Sequence, residues 1–459
     1  MRGEGAASDL ERDLAPIIAL AEKPVTTAAE LTANLRAIYS AVLGFDLERY
    51  RHGDVAGAQG LMKKAFDARA RLRNRLAEWA ERGLLTRESV TALRDVFRIA
   101  RYGIDLLGET AIGNAKLAPG EKTLRAFTGR DHNTFVNPRF DTGANLPFRS
   151  GDVILIRGTA HNSAAIARIG DVDSQFSHIC MVYIDGEGRH WVVESLIEDG
   201  ATINTLEHAL DHGVRRAVLY RCKDAELAER AAALIHARVN ASLTGKTRRI
   251  PYDFSMRLKG KRKLFCSKLV RRAFEEASAG KVLLPAFRTR LDMRNKDFFR
   301  RIGVAASETF APGDIDVDPA FDLIAEWQDY RITSKLRAKD MIMDKVFEWM
   351  EVHGMRFRES FLVRLMSWFG RFASYLSNDV KELLADVIPK IPGNMRRRTI
   401  AAVVMLHKTG EALLASIVAL EEDHIRMTGF PLPPAHILDH LERLREVSGG
   451  RIGYLQGPA

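Results

Sequence analysis

Apolar residues in the first third of the chain recur at helical spacing. Leu31, Leu35, Ile38, Val42 and Leu43 share one face, and so do Leu61, Ala65, Ala68, Leu72 and Leu76, as amphipathic helices require. Arg and Glu fill the positions between them, the pattern of a bundle with solvated outer faces. Thr86, ahead of Arg87-Glu88-Ser89, is placed to cap a further helix running toward Ile104. Residues 1 to about 130 are expected to be helical almost throughout.

The period changes near Pro147. Phe148-Arg149-Ser150-Gly151-Asp152 reads as a turn, and Val153-Ile154-Leu155-Ile156 as a buried strand. Further strands are expected at Ile179–Ile184, Trp191–Glu194 and Ala217–Tyr220, the first two joined by the hairpin-like turn Asp185-Gly186-Glu187-Gly188. Ala225–Val239 returns to helical spacing. A loop through Pro251 then leads to a second helix that begins near Cys266 and continues Leu269, Val270, Ala273, Phe274. The run Pro-Gly-Asp-Ile-Asp-Val-Asp-Pro ending at Pro319 reads as a loop. Beyond about Tyr330 the pattern is helical to roughly Glu446, broken at Pro389, Pro392 and Gly393 and again between Gly429 and Pro434. The expected organisation is a helical region over 1–140, an α+β region over 141–335 and a helical region over 336–459.

With 459 residues, 46% hydrophobic and 28% charged, the chain has a globular composition and room for a large core. The apolar stretches Ile400–Leu406 and Ala412–Leu420 stop well short of the roughly 20 residues a membrane span needs. Acids at Glu4, Glu11 and Asp13 leave no apolar segment of the kind an export signal carries, so the expected compartment is cytoplasmic, with secretion by a route that uses no cleavable signal left open. Lys and Arg exceed Asp and Glu by 69 − 59 = 10, which favours acidic partners. Without a recognisable nucleic-acid module, no specific nucleic-acid binding is expected. Three cysteines, Cys180, Cys222 and Cys266, are too few for a disulfide framework and point to a reducing setting.

Candidate chemistry gathers in the α+β region. At the start of a helix, Cys266 would have its thiolate stabilised by first-turn amides and the positive end of the dipole, and the same amides could hold an oxyanion. Cys180 and Cys222 sit in strand-like text and read as buried. His178 opens a strand and could take a proton from a thiol on a facing helix. One strand later stands Glu194, which the hairpin would bring beside His178, so that a carboxylate orients the imidazole.

The order His, acid, Cys, in Ser177-His178-Ile179, Val193-Glu194-Ser195, Pro251-Tyr252-Asp253-Phe254 and Phe265-Cys266-Ser267-Lys268-Leu269-Val270, resembles the permuted papain-like hydrolases of the NlpC type, the YiiX/YebB-like group. Gly151-Asp152-Val153-Ile154-Leu155 resembles that family's opening strand. Ordinary papain-like enzymes carry the Cys before the His, and the permuted group reverses them, as here. The resemblance covers about 147–330 and neither helical flank. It implies a circularly permuted papain-like α+β core with an antiparallel sheet, Cys266 as nucleophile, His178 as base and later acid, Glu194 as the third polar group, and Tyr252 lining the substrate site. The implied reaction is attack on an amide, ester or thioester carbonyl through an acyl-enzyme, with no metal or cofactor.

A bacterial-type cysteine amidase or peptidase is the first expectation. A lipid-directed acyl hydrolase or acyltransferase is the second, since the amphipathic stretch Phe357–Leu376, with Trp368, Phe369, Phe372 and Tyr375, has the make-up of a segment in peripheral contact with a membrane. A helical scaffold with a vestigial core is the third. The basic run Arg257, Lys259, Lys261, Arg262 and Lys263 ahead of Cys266 could draw an acidic or acylated substrate, or could simply be a solvated loop. The family's peptidoglycan-anchoring modules are not recognised, which turns the expectation away from a cell-wall substrate. Gly245-Lys246-Thr247 lacks the leading glycine of a phosphate loop, with Asn240 in its place. Glu421 and His424 lack the second motif of a di-iron bundle, and His436 with His440 lack a third ligand. The sequence specifies no oligomeric state.

Overall fold

The computed structural model describes residues 2–50, 55–112, 134–143, 146–168, 170–211, 214–291, 296–361, 363–364, 367 and 392–458. The aromatic positions Trp368, Phe369, Phe372 and Tyr375, and Pro389, lie outside the described residues.

Five helices come first: α1 (Arg2–Glu22), α2 (Ala28–Leu43), α3 (Val55–Asn74), α4 (Leu76–Glu81) and α5 (Arg87–Ile112). Thr27 and Glu30 close a reciprocal capping box at the start of α2, satisfying amides that the helix itself leaves without partners. Leu31, Leu35 and Ile38 are fully buried, as are Leu61, Leu72 and Leu76.

A seven-stranded sheet follows, built from β1 (Thr134–Val136), β2 (Val153–Gly158), β3 (His178–Ile184), β4 (His190–Leu196), β5 (Gly200–Thr205), β6 (Val214–Cys222) and, after the short pair β7 (Thr289–Arg290) and β8 (Glu308–Thr309), β9 (Phe321–Gln328). Its order is β1-β9-β6-β2-β3-β4-β5, antiparallel throughout. Alternate residues of a strand face opposite sides, and both sides are covered here. Val153, Leu155, Ile179, Met181 and Val193 join the core made with the N-terminal helices, α8 (Ala225–Leu243) and α9 (Cys266–Ala277). Ile154, Ile156, Cys180, Val182 and Val192 pack on the other side with Leu206 and Leu210 of α7 (Leu206–Asp211). Burial on both faces is why β2 reads as an unbroken apolar run.

Three strands of the sheet depart from the sequence reading: β1, at Thr134–Val136, falls inside the region 1–140 expected to be helical, and neither β9 nor β5 was expected. The segment Phe321–Gln328 carries Asp322 and Glu326 and was not expected to be a strand, yet it pairs with β6 along its length and accepts β1 on its other edge. Gly200–Thr205 likewise adds β5 beyond β4. Before β9, the residues expected to form a loop instead make a buried 3-10 turn, Pro312–Val317.

Charge explains β9. Arg69 of α3 and Arg101 of α5 both reach Glu326, and Arg101 holds Asp316 through two bonds of 2.6 and 2.9 Å. Arg216 of β6 pairs with Asp105 of α5, and Arg337 pairs with Glu109 at 2.6 and 2.7 Å. These arginines are buried, where an ion is stable only if paired and hydrogen-bonded. The polar positions of the first helices are therefore not all solvated, as the sequence pattern implied. Several fasten α3 and α5 to the sheet.

The C-terminal part contains α6 (His161–Ala167) and α10 (Lys296–Ile302) from the middle of the chain, packed with α11 (Thr333–Val352), α12 (Arg397–Thr428) and α13 (Pro434–Val447). Ala164, Ile342, Val346, Trp349, Met405 and Leu441 belong to this second core. The runs Ile400–Leu406 and Ala412–Leu420, separated in sequence by Lys408 and Glu411, lie in the single helix α12. By length and composition that helix could cross a membrane, and 44% of its apolar window is buried against neighbouring elements. Gly429, left-handed at φ 72°, ends it, and Pro434 starts α13.

Candidate active site

His178 and Glu194 are brought together by the β3–β4 hairpin. Gly188 accepts the positive φ the turn needs, and its amide donates to the Asp185 carbonyl at 3.0 Å. The register runs from Ile184 opposite His190 to Met181 opposite Val193. Carried on, it sets Glu194 on the same face as His178 and one diagonal step away, within reach of a long side chain. Nε2 of His178 lies 2.6 Å from Oε2 of Glu194.

Asn204, on β5, completes this side of the site. Its Nδ2 donates to Oε1 of Glu194 at 2.6 Å, so each carboxylate oxygen has its own partner. Glu194 is almost fully buried. Burial would raise its pKa, but the His178 hydrogen bond and charge, with Asn204 behind them, hold it below the usual carboxylate range. The sequence reading missed Asn204, because β5 was itself not expected.

Cys266 is the first residue of α9, after Phe265 in extended conformation and without a side-chain cap. Its first-turn amides have no partner within the helix. The helix start is fixed from several directions. Leu264 bridges Tyr252, and its carbonyl accepts from Ser195 Oγ at 2.7 Å. Lys268, two residues along, is buried and donates to Asp253 Oδ2 at 2.7 Å and to the Lys259 carbonyl at 2.9 Å. On the far side, Gly200 (φ 72°) packs so closely on Ile250 and Pro251 that a Cβ would overlap them. Ser195, Asp253 and Lys268 thus hold the helix that Cys266 begins, a role their place in the motifs did not disclose.

Cys266 and His178 line the same cleft and lie close enough to shift each other's titration. Burial pushes the Cys266 thiol up, but the His178 hydrogen bond and charge, and the Ser267 hydroxyl and amide, outweigh it, so the thiol titrates below its ordinary value. Burial pushes His178 down, yet its bonds to Cys266 and Glu194 raise it to about 10. The two shifts run in the direction of a thiolate–imidazolium pair. Cys180 and Cys222 go the opposite way, driven upward by burial, and are inert by the same reasoning.

A cleft of about 190 Å³ opens on these groups, lined by His178, Glu194, Asn204, Tyr252 and Cys266. His178 retains 18% side-chain exposure, while Cys266 is 6% exposed, so the cleft is the route to the sulfur. Tyr252 is buried against Phe254, ring centroids 5.1 Å apart. Burial and the nearby Cys266 charge raise its phenol pKa and keep it protonated. Of the basic run, Arg257, Lys259, Lys261, Arg262 and Lys263 are all exposed. Lys259, Lys261, Arg262 and Lys263 line a separate depression with Asp253 and Lys268. In the C-terminal helices, Glu421 bonds Ser334, His440 bonds Ser416 at 3.1 Å and the ring of His424 packs on that of His436.

The antiparallel sheet and the order His178, Glu194, Cys266 are what a permuted papain-like α+β fold would show. Residues 147–324 match the model of a family described as permuted papain-like amidase enzyme, YaeF/YiiX, C92 family. That is the group the motifs resemble, and the segment carries an α+β permuted papain-like fold. The match supports cysteine amidase or hydrolase activity in general. Searches of curated proteins and of solved structures found no match.

Proposed function

We propose that the protein is a cysteine hydrolase that cleaves an amide bond, with Cys266 as nucleophile, His178 as general base and acid, and Glu194 as the group that orients and charges the imidazole. The observation that carries this reading is the 2.6 Å contact between His178 and Glu194, in a cleft that Cys266 also lines from the start of α9.

The chemistry follows from the geometry. The Cys266 thiolate attacks the carbonyl carbon, forming a C–S bond and placing negative charge on the oxygen. First-turn amides of α9 are the donors at hand for that charge. The His178 imidazolium gives its proton to the leaving nitrogen, the C–N bond breaks and a thioester with Cys266 remains. Water then loses a proton to His178 and attacks the thioester, releasing the acid and restoring the thiolate. Glu194 stays ionised, held by Asn204, and orients the imidazole.

The test is a panel of acyl amides, with release of free amine as the signal and intact mass as the trap for an acyl-enzyme. Turnover with a mass increment on Cys266, lost in Cys266→Ala, supports the reading. Turnover confined to esters and thioesters would move the assignment to an acyl hydrolase or transferase. Full function in Cys266→Ala would leave a scaffold.

A further inference from the structure

Beside the cleft lies a second hollow of about 100 Å³ with an apolar lining. The two share Ile166, Ile197, Glu198 and Tyr252 in their walls, so the hollow adjoins the cleft that holds Cys266. Its far wall comes from outside the family-matched segment. Met395 precedes α12, and Thr399, Val403 and Leu406 follow at intervals of four and three, which places them on one helix face. This wall is fixed to the site. Asn394 Nδ2 donates to the Tyr252 carbonyl at 2.8 Å, and Thr399 Oγ1 donates to the Arg301 carbonyl at 2.9 Å. Met395 and Val403 also pack in one cluster with Ile197 and Phe254.

We propose that this hollow is the subsite for a short, branched apolar group next to the scissile carbonyl, and that the C-terminal helical region thereby selects the substrate. The proposal rests on Cys266 being the nucleophile. Size and chemistry set the occupant. The volume is well below the roughly 300–1,000 Å³ of pockets that take drug-sized ligands, so it admits a group the size of an aliphatic side chain and excludes a long lipid tail. Filling it removes apolar surface from water on both partners.

The experiment uses the whole chain and two alkylating probes, iodoacetamide and N-isobutyl iodoacetamide, with modification of Cys266 followed by mass. In the wild type the isobutyl probe should react about tenfold faster, the discrimination that a snug apolar pocket gives a small aliphatic group. Val403→Trp fills the hollow and should bring the ratio of the two rates close to one. Val403→Ala enlarges it and should shift the preference to the longer N-(3-methylbutyl) probe, an arm that decides the matter if the tryptophan disturbs packing. A wild-type ratio near one overturns the proposal, and so does a preference that neither substitution alters. Failure of the underlying assignment looks different: Cys266 would react with iodoacetamide itself no faster than an ordinary thiol, and His178→Ala would not slow it.

Discussion

Nε2 of His178 sits 2.6 Å from Oε2 of Glu194, and the other oxygen of that carboxylate takes a 2.6 Å bond from Asn204. Three adjacent strands thus contribute one residue each to a single polar relay that ends at the Cys266 sulfur. The shifts along it alternate: Glu194 is lowered by its bond to His178, His178 is raised to about 10 by Cys266 and Glu194 against burial, and Cys266 is lowered by His178.

Glu194→Gln keeps a side chain of the same size but removes the charge. The His178 pKa should fall, the thiolate fraction at neutral pH with it, and kcat/KM by on the order of 10²-fold or more, as when the acid of a catalytic triad is made an amide. Asn204→Ala removes one hydrogen bond to an ion, worth about 1.5–3 kcal/mol, and should give a smaller loss with the same change in pH profile. Steady-state kinetics on the two variants check the ranking. Equal losses in both would contradict it.

The pH profile should be broad. Activity rises as the Cys266 thiol loses its proton, and that limb lies to the acid side of the roughly 8.5 of a free thiol. It falls as the imidazolium of His178 deprotonates, toward a pH of about 10. In Glu194→Gln the alkaline limb should move to lower pH, because an anion that stabilised the imidazolium is gone. Measuring kcat/KM from pH 5 to 11 reads both limbs.

Lys268→Met leaves the Asp253 carboxylate buried without its cation. A loss of about 3–5 kcal/mol is expected for breaking a buried pair from one side, with slower alkylation of Cys266 because α9 is no longer tied at Asp253. The double variant Lys268→Met with Asp253→Asn should recover part of the stability. Urea unfolding of the four proteins gives the coupling directly.

Arg101→Met tests the link between the N-terminal helices and the sheet. It strips a guanidinium from both Asp316 and Glu326, and a loss of similar size is expected. The pH dependence has a definite sign. Asp316 is held at about 2 in the fold, chiefly by Arg101 acting against burial. Its contribution is therefore present above the unfolded carboxylate value of about 3.9 and is lost as pH falls through about 2. The stability gap between wild type and Arg101→Met should be flat at neutral pH and narrow only under acid.

The sequence made the central strands, the β3–β4 turn and the Cys266 helix start legible because each carries a local signal: an apolar run buried on both faces, a glycine turn, a helical period beginning at one residue. The candidate triad was legible from the order of His178, Glu194 and Cys266 in motifs that resemble the permuted papain-like group, not from any one local signal. Asn204 was not, since β5 begins after Glu198-Asp199 and alternates too weakly to announce a strand. Strand β9 was hidden for a different reason. Glu326 is tolerable in a buried strand only because Arg69, Arg101 and Arg216 come to it from three distant elements, and no local pattern encodes that meeting. By the same token Arg69 and Arg101 looked like solvated helix positions. The apolar hollow was equally invisible, because its walls join Tyr252 to Val403 across 151 residues of chain.

The most direct test of the account is the rate at which iodoacetamide modifies Cys266, measured against pH in the wild type and in His178→Ala. The account predicts labelling confined to Cys266, rising with pH at a midpoint below that of a free thiol, and a sharp loss of rate at neutral pH without His178. Labelling that follows a free thiol near pH 8.5, unchanged by removal of His178, would contradict the thiolate–imidazolium pair on which the proposed reaction depends.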